Sequence, residues 1–198
     1  TEDGLPANTS GQSLYGEATD LVKKADAVIL VVGIDGSQEG EMRDRSAIEL
    51  PAIQEGLVRA ATIAAGKKPV VVVNCSGSPV AFNWAKENVP AIIQSWYPGQ
   101  RGDAVADVIF GKYNPAGRLP VTFYNATSDL PSFTDYAMYN RTYRYDTKPV
   151  LYPFGYGLSY STFEYSNLKA PEKSGTGDDV KISFDVKNTS SVDGEEVV

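Results

Sequence analysis

The sequence predicts an α/β fold, a parallel-rich sheet with helices on both faces, followed by the truncated start of an all-β domain. Three observations carry this reading. Short continuous apolar runs alternate with stretches of helical periodicity from about residue 14 to residue 110. The runs have the length and bounding residues of strands buried on both faces. Near residue 180 the period changes to two, the mark of a strand with one wet face.

Residues 1–12 are polar and rich in Gly and Pro, and read as a loop. Residues 14–25 read as a helix, with Leu14, Ala18, Leu21 and Val22 on one face. Ala27–Val32 is an apolar run expected to be a strand buried on both sides, and a polar loop, Gly33–Arg45, follows it. Pro51 sits where a first helical turn tolerates proline, and Ile53, Leu57, Ala61 and Ala64 continue at helical spacing. Pro69–Asn74 reads as the second strand, Ser78–Lys86 as a short helix, Ala91–Ser95 as the third strand and Asp103–Phe110 as another helix. Strands joined through helices in this way run parallel. Ligands of such sheets gather beyond the C-terminal strand ends. The loops of interest are therefore Gly33–Arg45, Cys75–Ser78 and Trp96–Gly102. Three strands make a thin sheet, so more are expected upstream of Thr1.

Gly111–Lys148 reads as irregular, and residues 170–179 as a Pro/Gly/Ser/Asp linker. Val180, Ile182, Phe184 and Val186 then alternate with Lys181, Ser183, Asp185 and Lys187, and a second strand is expected at Glu195–Val198. Two strands do not stand alone. The expected domains are 1–163, the α/β domain, and 164–198, a linker and the beginning of a β domain.

Composition narrows the chemistry. The chain has no histidine, which removes His-based triads, His-ligated zinc and His general bases. Cys75 is the single cysteine, so there is no intrachain disulfide and no thiolate cluster. The net charge is -7 with no Lys/Arg cluster, which argues against nucleic acid or an anionic membrane as partner. No apolar run reaches the roughly 18 residues of a membrane span. Neither a metal nor an organic cofactor is implied. The start at Thr1, without a signal peptide or initiator Met, reads as a processed or partial chain. Five Asn-x-Ser/Thr sequons, at Asn8, Asn74, Asn125, Asn140 and Asn188, are compatible with a secreted or periplasmic protein.

The segment from Asp35 to Arg45 is the most informative for chemistry. It gathers Glu39, Glu41 and Asp44 with Arg43 and Arg45 directly after an apolar strand. Glycoside hydrolysis needs one carboxyl group kept protonated near neutral pH. Neighbouring carboxylates raise a pKa and neighbouring arginines lower it, so such a cluster can assign different values to its members. A solvated loop of mixed charge has the same composition. Gly155 and Gly157 form a Gly-x-Gly, but no periodic helix follows, which weakens a nucleotide reading. Trp96, Tyr97, Tyr139, Tyr143, Tyr145, Tyr152 and Tyr156 could stack on sugar rings or fill a core.

The order of segments resembles the C-terminal α/β sandwich domain of glycoside hydrolase family 3. The matching pieces are Asp26–Gly33, Glu41-Met-Arg-Asp-Arg45, Trp96-Tyr-Pro-Gly-Gln-Arg-Gly102, Asn114–Thr122 and Tyr152–Tyr160, over roughly residues 20–165. The strand near residues 180–186 resembles the start of the fibronectin-III-like domain that often follows. The resemblance implies an aspartate nucleophile on an N-terminal barrel. Ser128-Asp129-Leu130 does not match its Ser-Asp-Trp-like setting. It implies a glutamate acid/base in the pattern Glu-x-x-Asp-Arg, which Glu41, Asp44 and Arg45 fit, with Glu39 as the rival or a support. Arg141-Thr-Tyr-Arg-Tyr145 and Glu39-Gly-Glu41 resemble the β-xylosidase subgroup, with Asn140 where glycine is usual. The expected function is a share in a retaining exo-β-glycosidase that releases xylose from xylo-oligosaccharides. This chain alone is expected to be inactive. The alternatives are a β-glucosidase or α-L-arabinofuranosidase of the same family, a non-catalytic sugar-binding or scaffold module, and a flavodoxin-like or Rossmann nucleotide binder. The last lacks a glycine-rich turn directly after Val32.

Overall fold

A computed structural model describes residues 15–198. Two compact units are present: the chain up to Gln100 together with Pro120–Phe154, and Arg101–Leu119 together with Gly155–Val198. The boundary expected at residue 164 falls inside the second unit.

In the first unit the elements are α1 (Gly16–Lys24), β1 (Val28–Gly33), α2 (Ala52–Ala65), β2 (Val70–Cys75), α3 (Asn83–Asn88) and β3 (Ala91–Gln94). The sheet order is β1-β2-β3 and both pairings are parallel, with Val31 beside Val73 and Val73 beside Ile93. Helix α2 packs on β1 and β2, and α1 and α3 pack on α2. The predicted β-α-β-α-β order is therefore present. The central strand is the best covered: Val70, Val72, Val73 and Asn74 are all buried. Phe123 and Leu151, from the returning segment, are among the most buried side chains. Phe123 packs edge-on against Phe82, Trp96 and Tyr152.

Several expectations are corrected. Val28 and Val32 of β1 are buried, but Ile29 and Val31 on the opposite face are 47% and 67% exposed. The apolar run of this strand is thus covered on one side only among the described residues. On α1, Val22 is buried and Leu21 is exposed, while Leu14 lies outside the described residues. On α2 the buried stripe is Gly56, Val58, Ala60, Ala61 and Ala65, which leaves Ile53 exposed. The helix expected from Ser78 begins only at Asn83. Residues ahead of it are held extended, because the Ala81 amide donates to the Ile48 carbonyl and the Ala81 carbonyl accepts from the Leu50 amide, at 2.8 and 2.9 Å. Those groups are then lost to a helix.

The irregular stretch after residue 111 contains one short α-helix, α5 (Thr142–Tyr145). Asn140 just before it has φ +55°. Asparagine, like glycine, tolerates that left-handed conformation better than most residues.

The second unit holds α4 (Gly102–Ile109), β4 (Phe163–Lys169) and β5 (Ser183–Asn188). The last two pair antiparallel, with Tyr165 beside Val186. The partner of β5 is β4 and not a strand at 195–198. Glu195 and Glu196 instead serve as side-chain anchors: Tyr113 donates to Glu195, Tyr165 to Glu196, and Arg118 meets Glu196 at 2.6 Å. The apolar positions of β5, Phe184 and Val186, stay partly exposed, and Phe184 pairs with Tyr165 at 5.7 Å between ring centres. Two of the segments that carry the family resemblance meet here. The Leu119 amide donates to the Tyr156 carbonyl and the Gly155 amide to the Leu119 carbonyl, both at 2.8 Å. Asn114 bonds Ser159, Tyr160, Ser161 and Asp193.

Candidate active site

Three loops leave the C-terminal ends of β1, β2 and β3, and they converge. The first begins at Gly33, whose amide and carbonyl are both held by the Gln54 side chain at 2.7 Å. A Cβ at Gly33 would lie 1.8 Å from the Cys75 carbonyl oxygen, so only glycine lets β1 end this close to β2. Ile34 is buried next to it. Asp35 then caps a tight turn: its carboxylate accepts from the Ser37 amide at 2.8 Å and the Ser37 hydroxyl at 2.6 Å. Its carbonyl accepts from the Gln38 and Glu39 amides. This turn delivers Glu39 inward.

Glu39 is saturated with donors. Oε1 accepts from the Gly77 amide at 2.5 Å and from the Tyr97 hydroxyl, and Oε2 accepts from the Ser78 hydroxyl. Arg45 donates to the Ser78 hydroxyl at 2.8 Å and to the Pro79 carbonyl at 2.9 Å. Burial pushes the Glu39 carboxyl up, but the bonds from Ser78, Tyr97 and Gly77 and the charge of Arg45 outweigh it, and the group sits below its ordinary value. The same bond raises the Tyr97 phenol. Glu39 is therefore an ionised acceptor, a poor proton donor.

Glu41 is placed in the opposite way. The chain reverses over Gly40–Arg43, with the Arg43 amide donating to the Gly40 carbonyl at 3.0 Å. Glu41 and Met42 occupy the corners of this turn. Met42 has φ +60° and is 97% exposed. Glu41 is exposed, and among the described residues its carboxylate makes no hydrogen bond or ion pair. Asp44 is likewise exposed, whereas Arg45 is partly buried. A cleft of about 520 Å³ opens beside them, lined by Glu39, Arg43, Asp44, Arg45, Ser78 and Tyr97 among others. Arg45 Nη1 is buried here and has no hydrogen-bond partner among the described residues. Among the described residues no group of three or more His, Cys, Asp or Glu side chains converges as metal ligands.

Of the four residues predicted for the site, Glu39 and Arg45 share a partner, Ser78, while Glu41 sits at a corner of the exposed turn, Asp44 follows that turn, and Glu41 alone of the four does not line the cleft. Sequence reasoning named the Cys75–Ser78 loop without singling out Gly77 or Ser78, and it left Tyr97 between a sugar-stacking ring and a core ring rather than a donor to Glu39. Their positions just beyond parallel strand ends were the available signal. Trp96 and Tyr152 go to the aromatic core, and Tyr143 stacks on Phe154 at 4.4 Å. Asn74 of its sequon is fully buried, its side-chain amide bonded to Ser76 and Gln94.

Comparison with known proteins gives this geometry a family. The model of the glycosyl hydrolase family 3 C-terminal domain matches residues 1–160. A xylan 1,4-β-xylosidase of Xylanibacter ruminicola is 45% identical over 195 residues, covering 93% of this chain and 22% of that protein. β-Glucosidase B of Emericella nidulans is 38% identical over 215 residues, 94% of this chain and 25% of that protein. Among solved structures, a β-glucosidase from Kluyveromyces marxianus in complex with glucose superposes with TM-score 0.75 at 37% identity, covering 88% of this chain and 22% of that one. A family 3 exo-β-xylosidase in complex with a xylobiose aziridine activity-based probe gives 0.72 at 38% identity, covering 82% and 22%. The chain thus spans between 22% and 25% of the length of these four proteins. Sequence motifs, parallel sheet and family model agree, and the chain belongs to glycosyl hydrolase family 3, in its C-terminal domain.

Proposed function

We propose that this chain supplies the acid/base of a retaining exo-β-glycosidase, a β-D-xylosidase that releases xylose from the non-reducing ends of xylo-oligosaccharides. The observation that carries the reading is the contrast between two glutamates. Glu39 is held ionised by three donors, and Glu41, in the Glu-x-x-Asp-Arg pattern, stands exposed on the turn with no side-chain partner among the described residues. An aspartate on an N-terminal barrel of the same enzyme attacks the anomeric carbon while Glu41 protonates the departing oxygen. Glu41, now ionised, takes a proton from the water that attacks the glycosyl-enzyme, and the aspartate leaves with its bonding pair. The chain alone is inactive in this scheme because its nucleophile lies elsewhere. The sequons favour a secreted or periplasmic enzyme, and the strand pair β4–β5 is the start of a fibronectin-III-like domain.

The xylosidase assignment is supported by Arg141–Tyr145 and by the similarity to named β-xylosidases. The β-glucosidase relatives keep glucosidase activity as the second reading. Comparing kcat/KM for aryl xyloside and aryl glucoside separates them, and a larger value for the glucoside overturns the first. For the acid/base, Glu41→Ala in the full-length enzyme should lower xylobiose hydrolysis by about 10²–10⁴-fold. An aryl xyloside with an acidic phenol should still form the glycosyl-enzyme, and azide should restore turnover with β-xylosyl azide as product. If Glu39→Ala shows that pattern and Glu41→Ala does not, the roles are exchanged.

A further inference from the structure

We propose that Tyr97 is a positioning residue for the acid/base, acting through Glu39 on the turn that carries Glu41. This rests on the reading of Glu41 given above. Tyr97 follows β3, and Glu39 follows β1, the two outer strands of the sheet. The bond from the Tyr97 hydroxyl to Glu39 Oε1 therefore ties the two outer loops together across the loop of the central strand. Gly77 of that central loop lies directly beneath: a Cβ there would be 2.5 Å from Tyr97 Cε2 and 3.0 Å from Glu39 Oε1. Only a bare backbone lets the phenol reach over it.

The phenol is itself aimed. Trp96, just before it, has φ +55°, a conformation that non-glycine residues seldom adopt, and the Trp96 ring packs on Phe123 at 6.1 Å between centres. The packed indole and the left-handed backbone together send Tyr97 outward toward Glu39. No spare residue separates the clamped carboxylate from the turn, since Gly40 is already its first member. A shift of the Glu39 backbone therefore passes through Gly40 alone to Glu41. A tyrosine that served only as packing would not be 52% exposed with its hydroxyl on a carboxylate. The effect on rate is geometric, because a small misplacement of a catalytic group costs far more turnover than stability.

Tyr97→Phe in the full-length enzyme tests this, since it removes the hydroxyl and keeps the ring. On xylobiose, whose leaving group needs a proton, kcat should fall by about ten- to a hundred-fold with KM nearly unchanged. Glycosylation by an aryl xyloside with an acidic phenol, measured as the pre-steady-state burst, should change by less than about threefold, because it does not draw on the acid. In a Glu41→Ala background, Tyr97→Phe should have no further effect on azide-restored turnover. Equal losses on both substrates, or a further loss in the Glu41→Ala background, overturn the proposal and leave Tyr97 a structural residue. Near-normal xylobiose hydrolysis by Glu41→Ala alone is a different result: it removes the acid/base assignment first, and the role of Tyr97 with it.

Discussion

The root and the tip of the loop from Asp35 to Arg45 differ in how their polar groups are used. At the root, Asp35 caps its own turn, Glu39 takes three donors, and Arg45 reaches Ser78 and Pro79. At the tip, Glu41, Met42 and Asp44 stand in solvent with no side-chain hydrogen bond among the described residues. Two carboxylates separated by a single glycine thus have opposite surroundings. A carboxylate wrapped in donors keeps its charge and fixes backbone. The difference teaches that the charge state of Glu39 follows from the donors that reach it, and all three of those donors belong to the other two loops.

The largest expected perturbation of this contrast is at its hub. Gly77→Ala places a methyl group 2.5 Å from the Tyr97 ring, so the ring must leave Glu39. The ring is half exposed and can swing aside, so the cost is that of the lost bond to Glu39, about 1 kcal/mol. The variant should melt lower and lose xylobiose hydrolysis at least as severely as Tyr97→Phe. An unchanged melting curve with wild-type turnover would mean that root and tip are independent.

A smaller effect comes from the charge of Glu39. Its folded pKa lies below the ordinary 4.5, so its contribution to stability is complete above that value and is lost as pH falls through the folded pKa. The Tyr97 phenol is raised above 10.0, so its contribution is complete below that value and is lost as pH rises through the folded pKa. Glu39→Gln should therefore flatten the acid limb of melting temperature against pH, and Tyr97→Phe should reduce both limbs. Identical pH profiles for wild type and Glu39→Gln would show that the root carboxylate is not under the influence of its donors.

The smallest effect is at the tip. Met42 holds φ +60°, which costs a non-glycine residue about 1–2 kcal/mol. Met42→Gly should relieve part of that cost and raise stability by about 0.5–1 kcal/mol, offset by the greater freedom of unfolded glycine. A denaturant midpoint that moves up with an unchanged slope confirms it. A fall would show that the exposed Met42 side chain contributes more than its backbone costs.

Much of this molecule was legible beforehand. The apolar runs and helical spacings place three parallel strands in the right order, because backbone pairing and crossover geometry leave few other ways to cover such strands. The loop rich in carboxylates falls at a strand end for the same reason. The exposed faces of β1 and α1 were not legible, since apolar periodicity marks what is able to be buried and not what meets it. The helix start was misplaced at Ser78 because the claim of residues 48–50 on Ala81 is a long-range one.

The sequence by itself determined the family, the sheet and the loop that holds both Glu39 and Glu41. Local chemistry suffices for these, because side-chain pattern, glycine placement and motif spacing act over a few residues. Which glutamate is held ionised was decided only by the tertiary structure. The Gly77 amide and the Ser78 and Tyr97 hydroxyls lie 38, 39 and 58 residues from Glu39 along the chain. Their bonds to it exist only after β2 and β3 have paired beside β1, and a carboxylate takes its charge state from the donors that surround it in space.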